Sequence, residues 1–544
     1  MPQPTKNIWT PVLLATVLAI GLFFGYRLNY QGPLITTATE GNGIGGGRVE
    51  EVLRYVDAKY VDQADVDELY EVAINAVMQE LDPHSSYIPG RELQALNESM
   101  QGNFEGIGIE FLVVDDTITV VSALPGGPSE LAGLLSGDQI ISVGDSTVTG
   151  VNKFGIDPST LMRGPQGTEV SVTVRRPGVF AEHEFTITRA PIPIFSVDAA
   201  YLLEPKTAYV RVNRFSRDTY DEFVKALEEQ LEKKDAHNLV LDLRGNPGGY
   251  LQEATKMLSQ LFVEKGVLLV YTQGRSSRRV EYKTNGRAFY NIQKVAVLVD
   301  GGSASASEIV AGAIQDHDRG IVVGRRTFGK GLVQEQYPLR DSSALRLTIA
   351  RYFTPSGRSI QRSYEEGEEN YRSDLNRRYE SGELTGSASI VQDSSALFYT
   401  DSGHPVYGGG GITPDYFVPL DTSLNDETYL RLRQQIPAYL FSYLRSNTLM
   451  QKYEGVDAFI ANYRPDYLVI SQGLRERAQR DFDGDLLPLS RVYQEELMHY
   501  FKARLAKQLF GDSAYYQVLN ERDEIVNEAL RLLLSNDPIA EARR

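Results

Sequence analysis

No cysteine occurs in the 544 residues. Disulfides, thiol nucleophiles, thiolate metal sites and a lipidated N-terminal cysteine are therefore excluded. Positive charge is also short: 55 Lys and Arg stand against 72 Asp and Glu, a net charge of -17. That balance argues against a nucleic-acid partner, because phosphate binding needs clustered cations. Histidine, the usual general base, is scarce, with six in the chain. No period of 20–50 residues recurs, which argues against a repeat architecture. What is present is ordinary for a globular protein, 42% apolar and 23% charged. The length exceeds what one core holds, so several domains are expected.

The longest apolar run covers residues 9–26, WTPVLLATVLAIGLFFGY, with Lys6 before it and Arg27 after it. As a helix it would span roughly 27 Å, close to the hydrocarbon thickness of a bilayer. Without a convincing A-x-A cleavage site it reads as an uncleaved signal anchor at residues 1–28, with the rest of the chain outside the cytoplasm. If the segment is cleaved, the protein is secreted instead. Residues 29–47 form a linker. Its glycines 41, 43 and 46 spell G-x-G-x-x-G, but no strand precedes them, so a dinucleotide site is rejected. Residues 48–100 have apolar positions at helical spacing and read as a helical domain. Short alternating segments from 101 to 190 read as one β-rich domain. From 191 to 420 strand, glycine loop and helix alternate, the pattern of an α/β core with buried parallel strands. Within it, residues 364–395 are polar and irregular and read as a surface insertion. Amphipathic helices from 421 to 544 form a C-terminal helical domain.

Two segments carry chemistry. In GSASASEIVAGAIQD a turn of small residues joins a buried strand to a helix. Such a turn presents a hydroxyl near a helix N-terminus, with backbone N–H groups close by for an oxyanion. By spacing alone Ser303, Ser305 and Ser307 are equal candidates, and a simple helix cap is the bland alternative. A serine hydroxyl needs a base. His317 lies twelve residues after Ser305, about 18 Å along a helix and at its opposite end. Lysine is the other option, since burial lowers its pKa toward ~7–8 and makes it a neutral base. Lys330 lies between glycines in GRRTFGKGLVQ. Residues 324–330 also spell G-x-x-x-x-G-K, but Gly331 replaces the magnesium-binding hydroxyl and no helix start follows, so nucleotide binding is rejected.

LDLRGNPGG, GSASASE and TFGKGLVQ, in that order, resemble the carboxyl-terminal processing (tail-specific) proteases, which carry a PDZ domain. The resemblance covers about residues 50–420. It implies a multidomain α/β fold: a ClpP/crotonase-like protease core with an inserted PDZ domain, flanked by the N-terminal and C-terminal helical segments. It also implies Ser305 as nucleophile, Lys330 as base and Gln334 as the residue orienting the lysine. Four residues along a strand span about 13 Å, so that last role requires a bend after Gly331. The implied oxyanion hole is the amide of Gly248 or Gly249 with that of Ala306. Gly245 stands where many relatives have an asparagine. Asp242 and Arg244 match a D-x-R for which a structural ion pair and a catalytic contribution are equally open readings, and Glu308 is read as structural. Gly106, Ile107, Gly108 and Ile109 fall where a PDZ domain holds a substrate carboxylate.

The expected activity is a serine endopeptidase acting near protein C-termini through an acyl-enzyme. The expected partners are peptide or protein substrates with free C-termini and a membrane through the N-terminal helix. The C-terminal helices suit a homodimer or an adaptor. No metal, nucleotide or other cofactor is called for. DFDGD near Asp481 lacks the sixth-position glycine and terminal glutamate of a calcium loop. A silent PDZ scaffold of the cell envelope and a Ser-His hydrolase on the same core are the competing readings.

Overall fold

The computed structural model describes residues 47–150, 157–386, 396–446, 452–480, 482 and 484–543. The expected anchor and nearly all of the linker lie outside them. Among the described residues no helix is long and apolar enough to cross a membrane. The chain forms two units, Met1–Ala73 and Ile74–Arg544. In the first, helix Arg48–Lys59 opens with Glu50 and Glu51 and closes on Lys59, charges that suit the helix dipole.

The second unit is built on a six-stranded sheet. Its order is Val197–Glu204, Thr207–Val212, Asn238–Asp242, Lys294–Val299, Ile321–Gly324 and Tyr416–Phe417. The first two strands are an antiparallel hairpin and all later neighbours pair in parallel. The LVL of NLVLD and the VAVLV of KVAVLV are continuous apolar runs because helices cover both faces. Leu239, Leu241, Val295 and Val297 pack with helices Thr219–Leu227, Leu251–Leu261 and Ala306–Asp316. On the other face Val240, Ala296, Leu298 and Val323 meet Ile525, Val526, Ala529 and Leu532 of helix Glu524–Leu533.

That last contact corrects the expected C-terminal domain of 421–544. The helices between residues 427 and 519 enclose a core of their own, with Leu432, Phe459, Leu474, Phe501 and Val518. The final helices instead close the apolar outer face of the six-stranded sheet. A sheet with a bare apolar face is unstable in water, and this late segment supplies its cover.

A five-stranded antiparallel sheet lies beside the first. Ala344–Phe353 pairs with Ser86–Ile88, Lys265–Gln273 and Leu332–Pro338, and Val280–Asn285 adds to Lys265–Gln273. The stretch 48–100, expected to be helical, therefore contributes a strand after Pro83. Asp82 sets it up: its carboxylate accepts the amides of His84 and Ser85, both at 2.8 Å, and the Ser85 hydroxyl at 2.6 Å.

The strands Ile109–Val114, Thr117–Ala123, Gln139–Val143, Ser146–Thr147, Glu169–Arg175 and Glu182–Thr188 form a sheet of their own around Ile118, Val120, Ile140, Val172, Val174 and Ile187. Asn103–Gly106 and Ala190–Pro193 pair as a ribbon at its base, which brings the two ends of this inserted module together. The polar stretch after Tyr364 is less superficial than expected. Residues 387–395 of it lie outside the described residues, but helices Glu368–Arg372 and Asp374–Glu380 bury Tyr371 and Arg378. Arg362 forms an ion pair with Asp374 and lies over the rings of Phe328 at 4.1 Å and Tyr371 at 3.9 Å. Those cation–π contacts draw a hydrophilic segment inward.

Candidate active site

Strand Lys294–Val299 ends in a turn that delivers Ser305 to the N-cap of helix Ala306–Asp316. Ser305 has φ 55° and ψ -113°, a conformation a side-chain-bearing residue adopts at a cost, and strained turns of this kind concentrate at functional sites. The turn separates the three serines. The Ser303 hydroxyl is buried and donates to the Leu243 carbonyl at 2.8 Å. The Ser307 hydroxyl is buried and donates to the Asn246 carbonyl at 3.0 Å. Ser305 lines a cleft of about 610 Å³ together with Gly248, Gly249, Ala306, Lys330 and Gln334.

Lys330 precedes strand Leu332–Pro338 and donates to Gln334 Oε1 at 3.0 Å. The required bend exists, because Lys330 lies ahead of the strand and the ladder shifts register between Val333 and Gln334. Gln334 Nε2 in turn donates to the His84 carbonyl at 2.6 Å. Burial pushes the Lys330 pKa down, the nearby Arg346 guanidinium pushes it further, and Asp82 and Glu308 oppose them. No carboxylate is bonded to its ammonium among the described residues.

Two glycines make the opposite wall. A Cβ on Gly248 would lie 2.8 Å from the Ala304 carbonyl and from Ser305 Cβ, and one on Gly249 would lie 2.1 Å from the Phe215 carbonyl. Only glycine permits this approach. The Gly248 amide donates to Asn246 Oδ1 at 2.8 Å. The amides of Gly249 and Ala306 donate to no acceptor among the described residues. Of the two glycines named from the sequence, Gly249 is thus the one with a free donor. Gly245 adopts φ 69°, which an asparagine also tolerates.

Glu308 is more than a helix-start residue. Its carboxylate is fully buried and accepts four donors. These are the amides of Ser305 at 2.9 Å, Lys330 at 2.8 Å and Gly329 at 2.7 Å, and the Thr327 hydroxyl at 2.5 Å. Burial pushes its pKa up to about 7 against the opposing pull of those donors. Tyr352 adds a second tie, its hydroxyl donating to the Ser305 carbonyl at 2.9 Å and contacting the Lys330 carbonyl. No motif pointed to Tyr352, which lies 47 residues from Ser305 in the chain.

Asp242 and Arg244 lie apart from the cleft. Asp242 accepts from Tyr209 at 2.6 Å, Arg211 at 2.9 Å and Arg244 at 2.7 Å, and Arg244 reaches Asp523 at 2.7 Å. Asp242 is fully buried, yet Arg244 and Arg211 hold its carboxyl below the usual range. The pair fastens the sheet to the late helices. None of the six histidines lines the cleft. His317 bonds Asp401 at 2.8 Å and the Leu268 carbonyl at 2.6 Å, beyond the far end of the helix.

In the inserted module, residues 106–109 run from the ribbon into strand Ile109–Val114. Ile107 is buried and its carbonyl accepts the amide and hydroxyl of Ser129 at 3.1 and 2.6 Å. The amides of Ile107 and Gly108 donate to no acceptor among the described residues.

The model of peptidase family S41 matches residues 206–367 and that of the PDZ domain matches residues 119–176. The carboxy-terminal-processing protease of Bartonella bacilliformis is 37% identical over 347 residues, 63% of this chain and 78% of that one. The chain belongs to peptidase family S41. The carboxy-terminal processing protease CtpB of Bacillus subtilis is 36% identical over 322 residues, 58% of this chain and 65% of that one. Among solved structures, the photosystem II D1 C-terminal processing protease is 31% identical, with a TM-score of 0.32. That match covers 57% of this chain and 89% of the other. As an S41 peptidase with a PDZ domain, the chain is an enzyme that binds peptide substrates, and its core is the mixed α/β fold expected from the sequence.

Proposed function

We propose that this S41 peptidase is a C-terminal processing endopeptidase in which Ser305 is the nucleophile and Lys330 the general base. One observation carries the reading: Ser305 and a largely buried lysine with no bonded carboxylate line the same cleft. Neutral Lys330 accepts the hydroxyl proton as Ser305 Oγ attacks the scissile carbonyl. The amides of Ala306 and Gly249 receive the oxyanion, aided by the positive end of helix Ala306–Asp316. The protonated lysine gives its proton to the departing amine, leaving an acyl-enzyme. Water then attacks, Lys330 again taking the proton, and the shortened product leaves. Gln334 orients the ammonium throughout. The amides of Ile107 and Gly108 hold the substrate's terminal carboxylate while the tail adds to the PDZ sheet as a strand. The apolar run at residues 9–26 anchors the chain, with the catalytic part outside the cytoplasm.

The test is cleavage of a protein with an apolar C-terminal tail by the full chain, by Ser305→Ala and by Lys330→Ala. Both substitutions are expected to reduce kcat by about 10⁴-fold or more while tail binding persists. Cleavage surviving the Lys330 change would overturn the Ser/Lys mechanism. Tail binding without cleavage by the unaltered chain would instead favour a scaffold.

A further inference from the structure

The cleft holds a second cation that the Ser/Lys chemistry does not use. Arg346 lies on strand Ala344–Phe353, opposite Gln336 on one side and Ser86 on the other, and it lines the cleft with Ser305 and Lys330. The rung carrying Gln334 pairs with Thr348, so Arg346 projects on the same face of its strand two residues further on, about 7 Å away. Its guanidinium has no hydrogen-bond or ion-pair partner among the described residues. Glu335 is the acidic residue of the cleft lining, and its carboxylate accepts the Tyr337 hydroxyl at 2.7 Å instead.

Among the described residues several other buried guanidiniums are matched by a carboxylate: Arg358 by Asp316, Arg326 by Glu383 and Arg543 by Asp318. A half-buried arginine left unmatched inside a substrate cleft loses hydration without gaining a partner. A planar fork of this kind pairs best with a carboxylate, through two parallel charge-assisted hydrogen bonds. We propose that Arg346 is a specificity residue that binds a substrate carboxylate close to the scissile bond. The carboxylate is either an Asp or Glu side chain flanking that bond or the free C-terminus of a short tail. The proposal rests on the assignment of Ser305 and Lys330 as the reacting pair. It also gives Arg346 a second effect. Its positive charge disfavours a protonated Lys330, while Asp82 and Glu308 favour one, and His84 beside them is held neutral by burial and by Lys330 itself. A bound carboxylate would partly cancel that charge, so recognition and base strength are coupled.

The probes are peptides with Glu or Gln at each of the three positions on either side of the scissile bond, each with a free or amidated C-terminus. The unaltered chain is expected to favour a carboxylate in one arm by about tenfold or more in kcat/KM. The Glu/Gln arm and the acid/amide arm tell the side-chain and terminal sources apart. In Arg346→Gln that ratio should fall to about one, and the acidic limb of kcat/KM should move to higher pH as Lys330 becomes harder to deprotonate. Arg346→Lys should keep part of the ratio. Should Arg346→Gln not fold, product peptides ending in Glu or Gln, acid or amide, serve as competitive inhibitors of the unaltered chain, with the carboxylate forms expected to bind about tenfold tighter. Equal rates or equal inhibition, or a ratio that survives in Arg346→Gln, overturns the proposal. Cleavage of the neutral amide peptide, absent in Ser305→Ala, reports separately on the reacting pair.

Discussion

The two arms of the cleft are built differently. The nucleophile arm is local: Ser303, Ser305, Ser307 and Glu308 lie within six residues. The hydroxyls of Ser303 and Ser307 fix the turn against Leu243 and Asn246, and the Ser305 amide bonds the Glu308 carboxylate within it. The base arm is assembled from segments far apart in the chain. Lys330 leans on Gln334, Gln334 on the carbonyl of His84, and His84 Nε2 on the Tyr371 hydroxyl at 2.7 Å. Gln361 closes the arm, accepting the Gly331 amide at 2.9 Å and reaching Tyr371 at 3.3 Å. A buried lysine must be held by neutral acceptors, since an adjacent carboxylate would keep it protonated. Such acceptors have to be brought in by tertiary packing, whereas a helix N-terminus supplies its own donors.

If that contrast is right, Glu308→Gln is the most damaging change outside the reacting pair, because its buried carboxylate bonds the Ser305 amide on one arm and the Lys330 and Gly329 amides on the other. An amide in its place faces two or more of the four donors with its own N–H₂. We expect at least a 10²-fold loss of kcat and a lower Tm, checked by steady-state kinetics and thermal unfolding. The sign of its pH effect is also defined. Its folded pKa is raised to about 7, above the unfolded value near 4.5. It therefore contributes stability that is fully present below the unfolded value and lost as pH rises through about 7. Denaturant titrations should show that slope in the unaltered chain and not in Glu308→Gln.

Gln334→Ala tests the base arm alone. A loss of about 10- to 100-fold in kcat, with KM little changed, is expected, and an equal loss in KM would argue for a substrate-binding role instead. Tyr371→Phe reaches one step further out, deleting the bonds to His84 and Gln361. Its expected effect is about three- to tenfold in kcat, with the protein still folded by circular dichroism. No change would mean that the helix at Glu368–Arg372 is not part of the arm.

His84 offers the smallest test. Burial, and next Lys330, push its pKa down to about 4. The unfolded state therefore binds more protons between about pH 6.5 and 4, and stability falls as pH drops through that range. His84→Asn should flatten this part of the stability profile, as measured by urea unfolding at several pH values.

The contrast also explains what could be read in advance. The α/β core was legible because buried parallel strands are continuous apolar runs and their loops are glycine-rich, as in NLVLDLRGNPGG. The turn at 303–308 was legible as a motif, but three serines remained equivalent in it. The family resemblance points to Ser305, and the packing of Ser303 against Leu243 and of Ser307 against Asn246 gives the physical reason. The strand at Ser86–Ile88 was missed because its ladder partner is more than 250 residues away, and the burial of Tyr371 was missed because its neighbours are charged.

By itself the sequence determined that a PDZ module precedes the protease core, the scarcity of histidine that turned attention to Lys330, and the family through three short motifs. Those are properties of composition, periodicity and contiguous segments. Tertiary structure decided which serine faces the cleft, that Glu308 and Tyr352 bind the two arms together, and that the last helices cover the core sheet. It also left Arg346 without a partner among the described residues, in the same cleft as the lysine. Each of these depends on which distant groups meet once both faces of the sheet are buried, and no local pattern encodes such a meeting.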